Sequence, residues 1–316
     1  MDGSSTPGTG GAAGTDGTVV TILSEEAYEL GEGARAVAGV TFVDLLAGRL
    51  LRHPGTVGGE VVPVLSTDVP LGAVAPVAGE PGRWVAALGD GIALLDADGG
   101  REWLDRPERD APVPTRMNDG VCDAEGRFWA GSMAYDEVSA VGGLYRTDPD
   151  GTVTRLVEGL VIANGPAVSA DGRRLFLADS AAHTVTRYEL AEDGHLHDGL
   201  VVVRTGEEGV PDGMTTDAEG TLWVAVHGAG QVRRYDVDGY PLLTVDLPAR
   251  QPTSVTVVPG GLVVTTATKG MDDPGPADGR LLRVDLGEDV PTAVPVRAFG
   301  PRPRGIPGAA EPWSAR

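Results

Sequence analysis

The chain of 316 residues carries 46 acidic side chains against 25 basic ones, a formal net charge of −21. That charge disfavours nucleic acid and anionic membrane surfaces as partners. Glycine at 47 positions and proline at 24 argue against a helical architecture, because both are poor in helix interiors. The single cysteine, Cys122, excludes an internal disulfide and is expected to be a small buried thiol.

Residues 1–17, MDGSSTPGTGGAAGTDG, hold almost no bulky apolar group and are expected to be disordered. They contain no basic segment followed by an apolar run, so no signal peptide is read there. No stretch of the chain is long and apolar enough to span a membrane. The expectation is a cytoplasmic protein. TVVTIL (18–23) reads as a strand. It is expected to pair with the last unit and close a ring, which would remove exposed sheet edges.

Six units of four short strands follow, between about residues 32 and 299. The first is Glu32 with GARAVAG, then VTFVDL, GRLLRH and EVVPVL. The second begins near Pro70 with LGAVAPVAG, RWVAALG, GIALLDA and REWL. The third opens on Arg116-Met117-Asn118-Asp119 and runs through GVCDA, RFWAGSM, GGLYRTD and TVTRLVEG. The fourth follows Asn164 with GPAVSA, RRLFLADS, TVTRYEL and LVVVRT. The fifth, the clearest copy, follows Asp212 with GMTTDA, TLWVAVH, QVRRYDV and LLTVDL. The sixth follows Thr253 with SVTVVPG, LVVTTAT, RLLRVDL and a last strand near 293–299. Residues 301–316 are a Pro-rich tail. Alternation, β-branched residues and Gly/Asp turns mark strands. A repeat of roughly 40–50 residues holding four strands is the mark of a β-propeller. The expected fold is therefore all-β, a six-bladed propeller over residues 18–300.

In such a unit the second strand runs antiparallel to the first, so its end returns to the level where the first began. Two sets of residues should meet at one channel mouth. One is Glu32, Arg116, Asn118, Asn164, Asp212 and Thr253. The other is Asp44, Met133, Asp179, His227 and Thr268, with Asp136 just beyond Met133. Two carboxylates and an amide oxygen on Glu32, Asn164 and Asp212 are hard ligands, suited to Ca²⁺, Mg²⁺ or Mn²⁺ and less specifically to Zn²⁺. Asn-Gly and Asp-Gly are also ordinary turn pairs, and Asp119-Gly120 and Asp171-Gly172 show that such pairs recur here. The chain has no nucleophile elbow, HExxH, P-loop or paired-cysteine site. Of the five histidines, His195 and His197 read as solvated in an outer hairpin and His53 as a surface residue. His227 ends a second strand at the ligand face, as pocket lining or as a plain strand terminus.

The segments LGEG (30–33), RMNDGVCDAEGRFWAGSM (116–133), ANGPAVSADGRRLFLADS (163–180) and PDGMTTDAEGTLWVAV (211–226) resemble the SMP-30/gluconolactonase/luciferin-regenerating family, which includes regucalcin; TKGMDD (268–273) matches more weakly. The resemblance implies a six-bladed propeller with one divalent metal and lactone hydrolysis. It carries the family's metal ligands onto Glu32, Asn164 and Asp212. It carries substrate contacts onto Arg116 and Asn118, and an acidic contact onto Asp136. The chain departs from the family after Glu32, where Gly33, Ala34 and Arg35 replace the usual proline and aromatic. His183 and His227 also stand where other residues are common. The reading is a metal-dependent lactone hydrolase in which Asp212 activates water and Asp136 and His227 line the mouth. A tailoring enzyme of secondary metabolism using the metal on another substrate, or a propeller scaffold without catalysis, are the alternatives.

Overall fold

A computed structural model describes residues 18–287 and 291–301, together with the backbone of Ala12–Ala13. All but two of residues 1–17 and all of 302–316 lie outside this description, and so do the expectations placed on them. The described residues contain strands and turns and no helix.

Six antiparallel sheets, five of four strands and one extended by a short fifth, stand around a central channel. Blade I is Gly31–Arg35, Val40–Asp44, Arg49–His53 and Val62–Ser66. Blade II is Leu71–Pro76, Trp84–Leu88, Gly91–Leu95 and Arg101–Asp105. Blade III is Thr115–Cys122, Phe128–Ala134, Gly142–Thr147 and Val153–Leu160. Blade IV is Ala163–Val168, Arg174–Asp179, Thr184–Leu190 and Leu196–Arg204. Blade V is Val210–Thr216, Leu222–His227, Gln231–Tyr235 and Pro241–Asp246. Blade VI takes Pro252–Val258, Gly261–Thr266 and Leu282–Asp285 from the end of the chain and Val19–Ile22 from its beginning. The chain is thus a six-bladed β-propeller, as its repeat implies.

Burial falls from the channel outward. The first two strands of each blade are almost wholly buried, whereas outer strands such as Leu196–Arg204 face solvent along most of their length. With few aromatics available, the blade interfaces rest on Val, Leu and Ala. Two tryptophans anchor two of them: Trp129 packs against Leu175 and Leu177 of blade IV, and Trp223 against Val255 and Leu262 of blade VI. The repeated segment DAEGxxW explains their placement. Asp123 accepts the Trp129 indole N–H at 2.9 Å, and Asp217 accepts that of Trp223 at 2.9 Å. Each carboxylate also takes the backbone N–H four residues on, so one residue fixes both the turn and the ring.

Val19–Ile22 pairs antiparallel with Leu282–Asp285, and Ala12–Ala13 adds two residues outside it. Ring closure by the N-terminal strand is as expected. The last strand expected near 293–299 is absent from blade VI. That segment instead crosses the base of the channel: Ala293 bridges Asp217 of blade V, Phe299 bridges Val77 of blade II, and Gly300 N–H reaches Gly126 O of blade III at 3.0 Å. The outer position of blade VI is already filled, so the segment's backbone groups pair with turns of other blades. His53 is also corrected. It is fully buried, because the loop that follows folds back over it and Gly55 N–H donates to its Nδ1 at 3.0 Å. His195 and His197 are stacked on an exposed outer hairpin, as expected.

Candidate active site

Each of the six innermost strands is bulged at the same level. Register shifts fall between Glu32 and Arg35, Leu71 and Ala73, Met117 and Gly120, Asn164 and Ala167, Pro211 and Met214, and Pro252 and Ser254. A bulge turns a side chain out of the pleat. Here it carries Glu32, Asn118, Asn164 and Asp212 at one end of the channel. The pairs Asn164-Gly165 and Asp212-Gly213 therefore lie in strands and are not turn pairs. The glycines permit close approach between blades: a Cβ on Gly165 would lie 2.5 Å from the Asp212 carbonyl oxygen, and one on Gly213 2.4 Å from Ser254 Cβ.

Glu32, Asn118, Asn164, Asp212 and Arg116 are all buried, each between 4% and 6% exposed. Burial pushes the Glu32 carboxyl well above the ordinary range, reinforced by the charges of Asp212 and Asp119. Burial likewise raises Asp212, with Asp119 adding to it. Burial lowers the Arg116 guanidinium, although the Glu32 charge works against that. The carboxylates are thus close enough to repel one another in a medium that solvates none of them.

The amides are locked. Arg116 Nη1 donates to Asn118 Oδ1 and to Met117 O. Asn118 Nδ2 donates to Asn164 Oδ1 at 2.5 Å and to Ala163 O at 3.0 Å. Asn164 Nδ2 donates to Ser180 Oγ at 3.0 Å, and Ser180 Oγ donates to Pro211 O at 2.6 Å. These bonds orient the Asn164 carbonyl and leave one of its two lone pairs for another partner.

The remaining residues expected at the mouth divide. Asp136 is exposed, and its carboxylate accepts from Val138 N, Ser139 N and Ser139 Oγ of its own loop. His227 is half-buried beside Lys269 and Glu137; burial and the Lys269 charge push its imidazole pKa down. Thr253 donates to Gly31 O and is paired with Thr265, tying blade VI to blade I. Asp44 pairs with Arg49, and Asp179 accepts from Val161 N and Ile162 N. His183, at φ +57°, is bonded to Gly206 O. These last four serve the scaffold.

Several residues of the site carry little sequence signal. Asp119 reads in the sequence as an ordinary Asp-Gly pair, yet it is 2% exposed in the channel. Arg35 of blade I reaches it at 3.1 Å and also donates to Gly120 O at 2.8 Å. The position of Arg35, three residues after Glu32 in an inner strand, was the available signal. Ser180 was visible only as part of a motif. Below Arg35 a cavity of about 70 Å³, bounded by Cys122, Met214 and the crossing segment Val294–Arg297, has room for a few waters.

A divalent cation fits these residues. The buried oxygens Asp212 Oδ1 and Asp119 Oδ2 have no hydrogen-bond partner among the described residues, and carboxylates outnumber arginines at the site. Among the described residues no three His, Cys, Asp or Glu side chains form a metal-binding group, so an ion would need the Asn164 amide oxygen beside Glu32 and Asp212. Such a mixed set is ordinary for hard cations.

Residues 30–268 match the model of the SMP-30/Gluconolactonase/LRE-like region. Pentonolactonase XacC of Haloferax volcanii is 34% identical over 84% of this chain and 94% of its own length. The structure of a luciferin-regenerating enzyme superposes with a TM-score of 0.79 at 28% identity, covering 90% of this chain and 100% of that one. Regucalcin of Agrobacterium tumefaciens, described as a calcium-binding protein, superposes with a TM-score of 0.77 at 26% identity, covering 88% and 96%. The chain belongs to the SMP-30/gluconolactonase/LRE-like family.

Proposed function

We propose that the protein is a hydrolase of sugar lactones that uses one divalent cation held by Glu32, Asn164 and Asp212. One observation carries the reading. At the channel mouth, a buried carboxylate oxygen with no hydrogen-bond partner among the described residues, Asp212 Oδ1, stands beside a buried arginine and two locked amides. The pentonolactonase relative supports the substrate class, and the calcium-binding regucalcin supports the cation.

A bound divalent ion supplies Lewis-acid polarisation of a carbonyl and a lowered pKa for bound water. The chain's own groups do the rest. Arg116 keeps Nε and Nη2 without a partner among the described residues, so these N–H groups hold substrate oxygens. Asn118 fixes that guanidinium and in turn fixes Asn164. The Asp212 carboxylate accepts a proton from the attacking water. The water oxygen bonds to the lactone carbonyl carbon, the ring C–O bond breaks, and the ring oxygen takes up that proton from Asp212, giving the hydroxy acid. His227, neutral at physiological pH, lines the entrance.

Calorimetry on metal-stripped protein with Ca²⁺, Mg²⁺, Mn²⁺ and Zn²⁺ is the first test, followed by pentonolactone hydrolysis with and without chelator. One saturable site, lost in Asp212→Ala, is expected, and hydrolysis should disappear with chelator. Full activity in chelator would defeat the metal role. Arg116→Lys keeps the charge but loses the fork, and turnover should fall by about 100-fold.

A further inference from the structure

Of the 25 basic residues in the chain, 24 are arginine and one is lysine, Lys269. That lysine stands at the channel mouth. It follows Gly261–Thr266 of blade VI and forms an ion pair with Glu137, in the loop after Phe128–Ala134 of blade III. Blades III and VI are three steps apart in a ring of six, so the pair spans the mouth from opposite sides.

Both roots are fixed. Thr268 and Lys269 each donate a backbone N–H to Glu29 O, at 3.1 and 3.0 Å. Glu137 sits in the left-handed region at φ +58°, a conformation that disfavours a side chain. The Asp136 carboxylate holds it there by accepting from Val138 N and Ser139 N at 3.0 and 2.9 Å. Asp136 thus shapes the loop and Glu137 presents the acid. The pair reaches the site electrostatically: the Lys269 charge acts on Asp212 and His227, and that of Glu137 on Arg116 and His227. Both side chains remain about 40% exposed, Lys269 at 40% and Glu137 at 43%.

We propose that Lys269 and Glu137 form a cross-channel clamp that reads the exocyclic hydroxyls of the substrate, donating from the ammonium and accepting at the carboxylate. The proposal rests on the lactonase reading for its substrate class. An ammonium has three rotatable donors and keeps two after pairing with Glu137. An arginine would close a planar fork on the carboxylate and leave little for a ligand. That difference explains a lysine here in a chain that otherwise uses arginine. A paired acid and base offers a hydroxyl both a donor and an acceptor. An anionic substrate would have to compete with Glu137 on a protein of net charge −21.

The test compares kcat and KM of wild type, Lys269→Arg, Lys269→Ala and Glu137→Gln on a pentonolactone and on an unsubstituted butyrolactone. Losing one charge-assisted hydrogen bond corresponds to about tenfold. The variants should therefore lose at least about tenfold more kcat/KM on the pentonolactone, chiefly through KM. Equal losses on both lactones would overturn the clamp. A second readout needs no turnover. Acetylation by acetic anhydride, followed by mass spectrometry, reports one lysine only. Saturating pentonolactone or its hydroxy acid should slow acetylation of Lys269, and Glu137→Gln should accelerate it. No slowing by either ligand would overturn the clamp. If wild type hydrolyses neither lactone, the lactonase reading falls, and protection against acetylation still decides the clamp.

Discussion

Asn118 of blade III donates its amide N–H to Oδ1 of Asn164 in blade IV at 2.5 Å. This bond is the middle of a relay from the Arg116 guanidinium, through both amides and Ser180, to the carbonyl of Pro211, the residue before Asp212. Three blades are thereby held in one arrangement at the site. Ser180 touches neither carboxylate, yet it sets which way the Asn164 amide faces. In Ser180→Ala, divalent-ion affinity should drop by about 10–100-fold, as for other residues that orient ligands. Calorimetry checks this. Melting temperature should move by only a few degrees, since two hydrogen bonds of about 1 kcal/mol each are lost.

The buried carboxylates predict how stability depends on pH. Glu32, Asp212 and Asp119 all titrate above the ordinary range because burial disfavours their charged forms. The folded protein therefore binds more protons than the unfolded chain at these groups. Stability contributed there is full below the unfolded pKa, near 4, and declines as pH rises through the raised values. Metal-stripped protein should lose melting temperature from pH 5 upward, and Ca²⁺ should restore it. Asp212→Asn should flatten the slope relative to wild type, which separates this effect from general repulsion among surface acids. A slope unchanged in Asp212→Asn would show that these carboxylates do not set it.

Gly165 sits at φ +45°, where a side chain is strained, with the Asp212 carbonyl oxygen 2.5 Å from a built Cβ. Gly165→Ala should cost about 1–3 kcal/mol and displace the strand carrying Asp212. Thermal melts and ion titration on the same variant should both worsen. A loss of stability with ion affinity intact would mean the strand yields away from the site.

The repeat was legible because each blade restates it locally: alternation, Gly/Asp turns and a distinctive residue near the start of the first strand. Glu32, Asn118, Asn164 and Asp212 could be found by their equivalent blade positions, and the channel brings them together. Residues whose role depends on a partner from another blade were not legible. Arg35 and Asp119 are separated by 84 positions, and Glu137 and Lys269 by 132. Asp136 illustrates the limit from the other side. Its place in the sequence points to the mouth, yet three local hydrogen bonds turn its carboxylate back into the loop. The path of 293–299 under the channel left no periodic signal either, since it forms single bridges and no ladder.

Ring closure makes the last prediction. Val19–Ile22 pairs with Leu282–Asp285 over four residues, and Leu23 N–H donates to Leu281 O at 2.8 Å. Val20 and Leu23 are 4% and 8% exposed. Burying two such side chains is worth about 3–6 kcal/mol. Deleting residues 1–24 removes that burial, leaves the edge Leu282–Asp285 unpaired and invites edge-to-edge association. Among the described residues, deleting 1–17 removes the short pairing of Ala12–Ala13 with Val19 and Val20. The shorter deletion should melt within a few degrees of the full chain. The longer one should melt at least about 10 °C lower and aggregate on heating. Thermal melts with light scattering compare the two. Coincident melting temperatures would mean that blade VI holds with three strands, and that the N-terminal strand covers the ring without closing it.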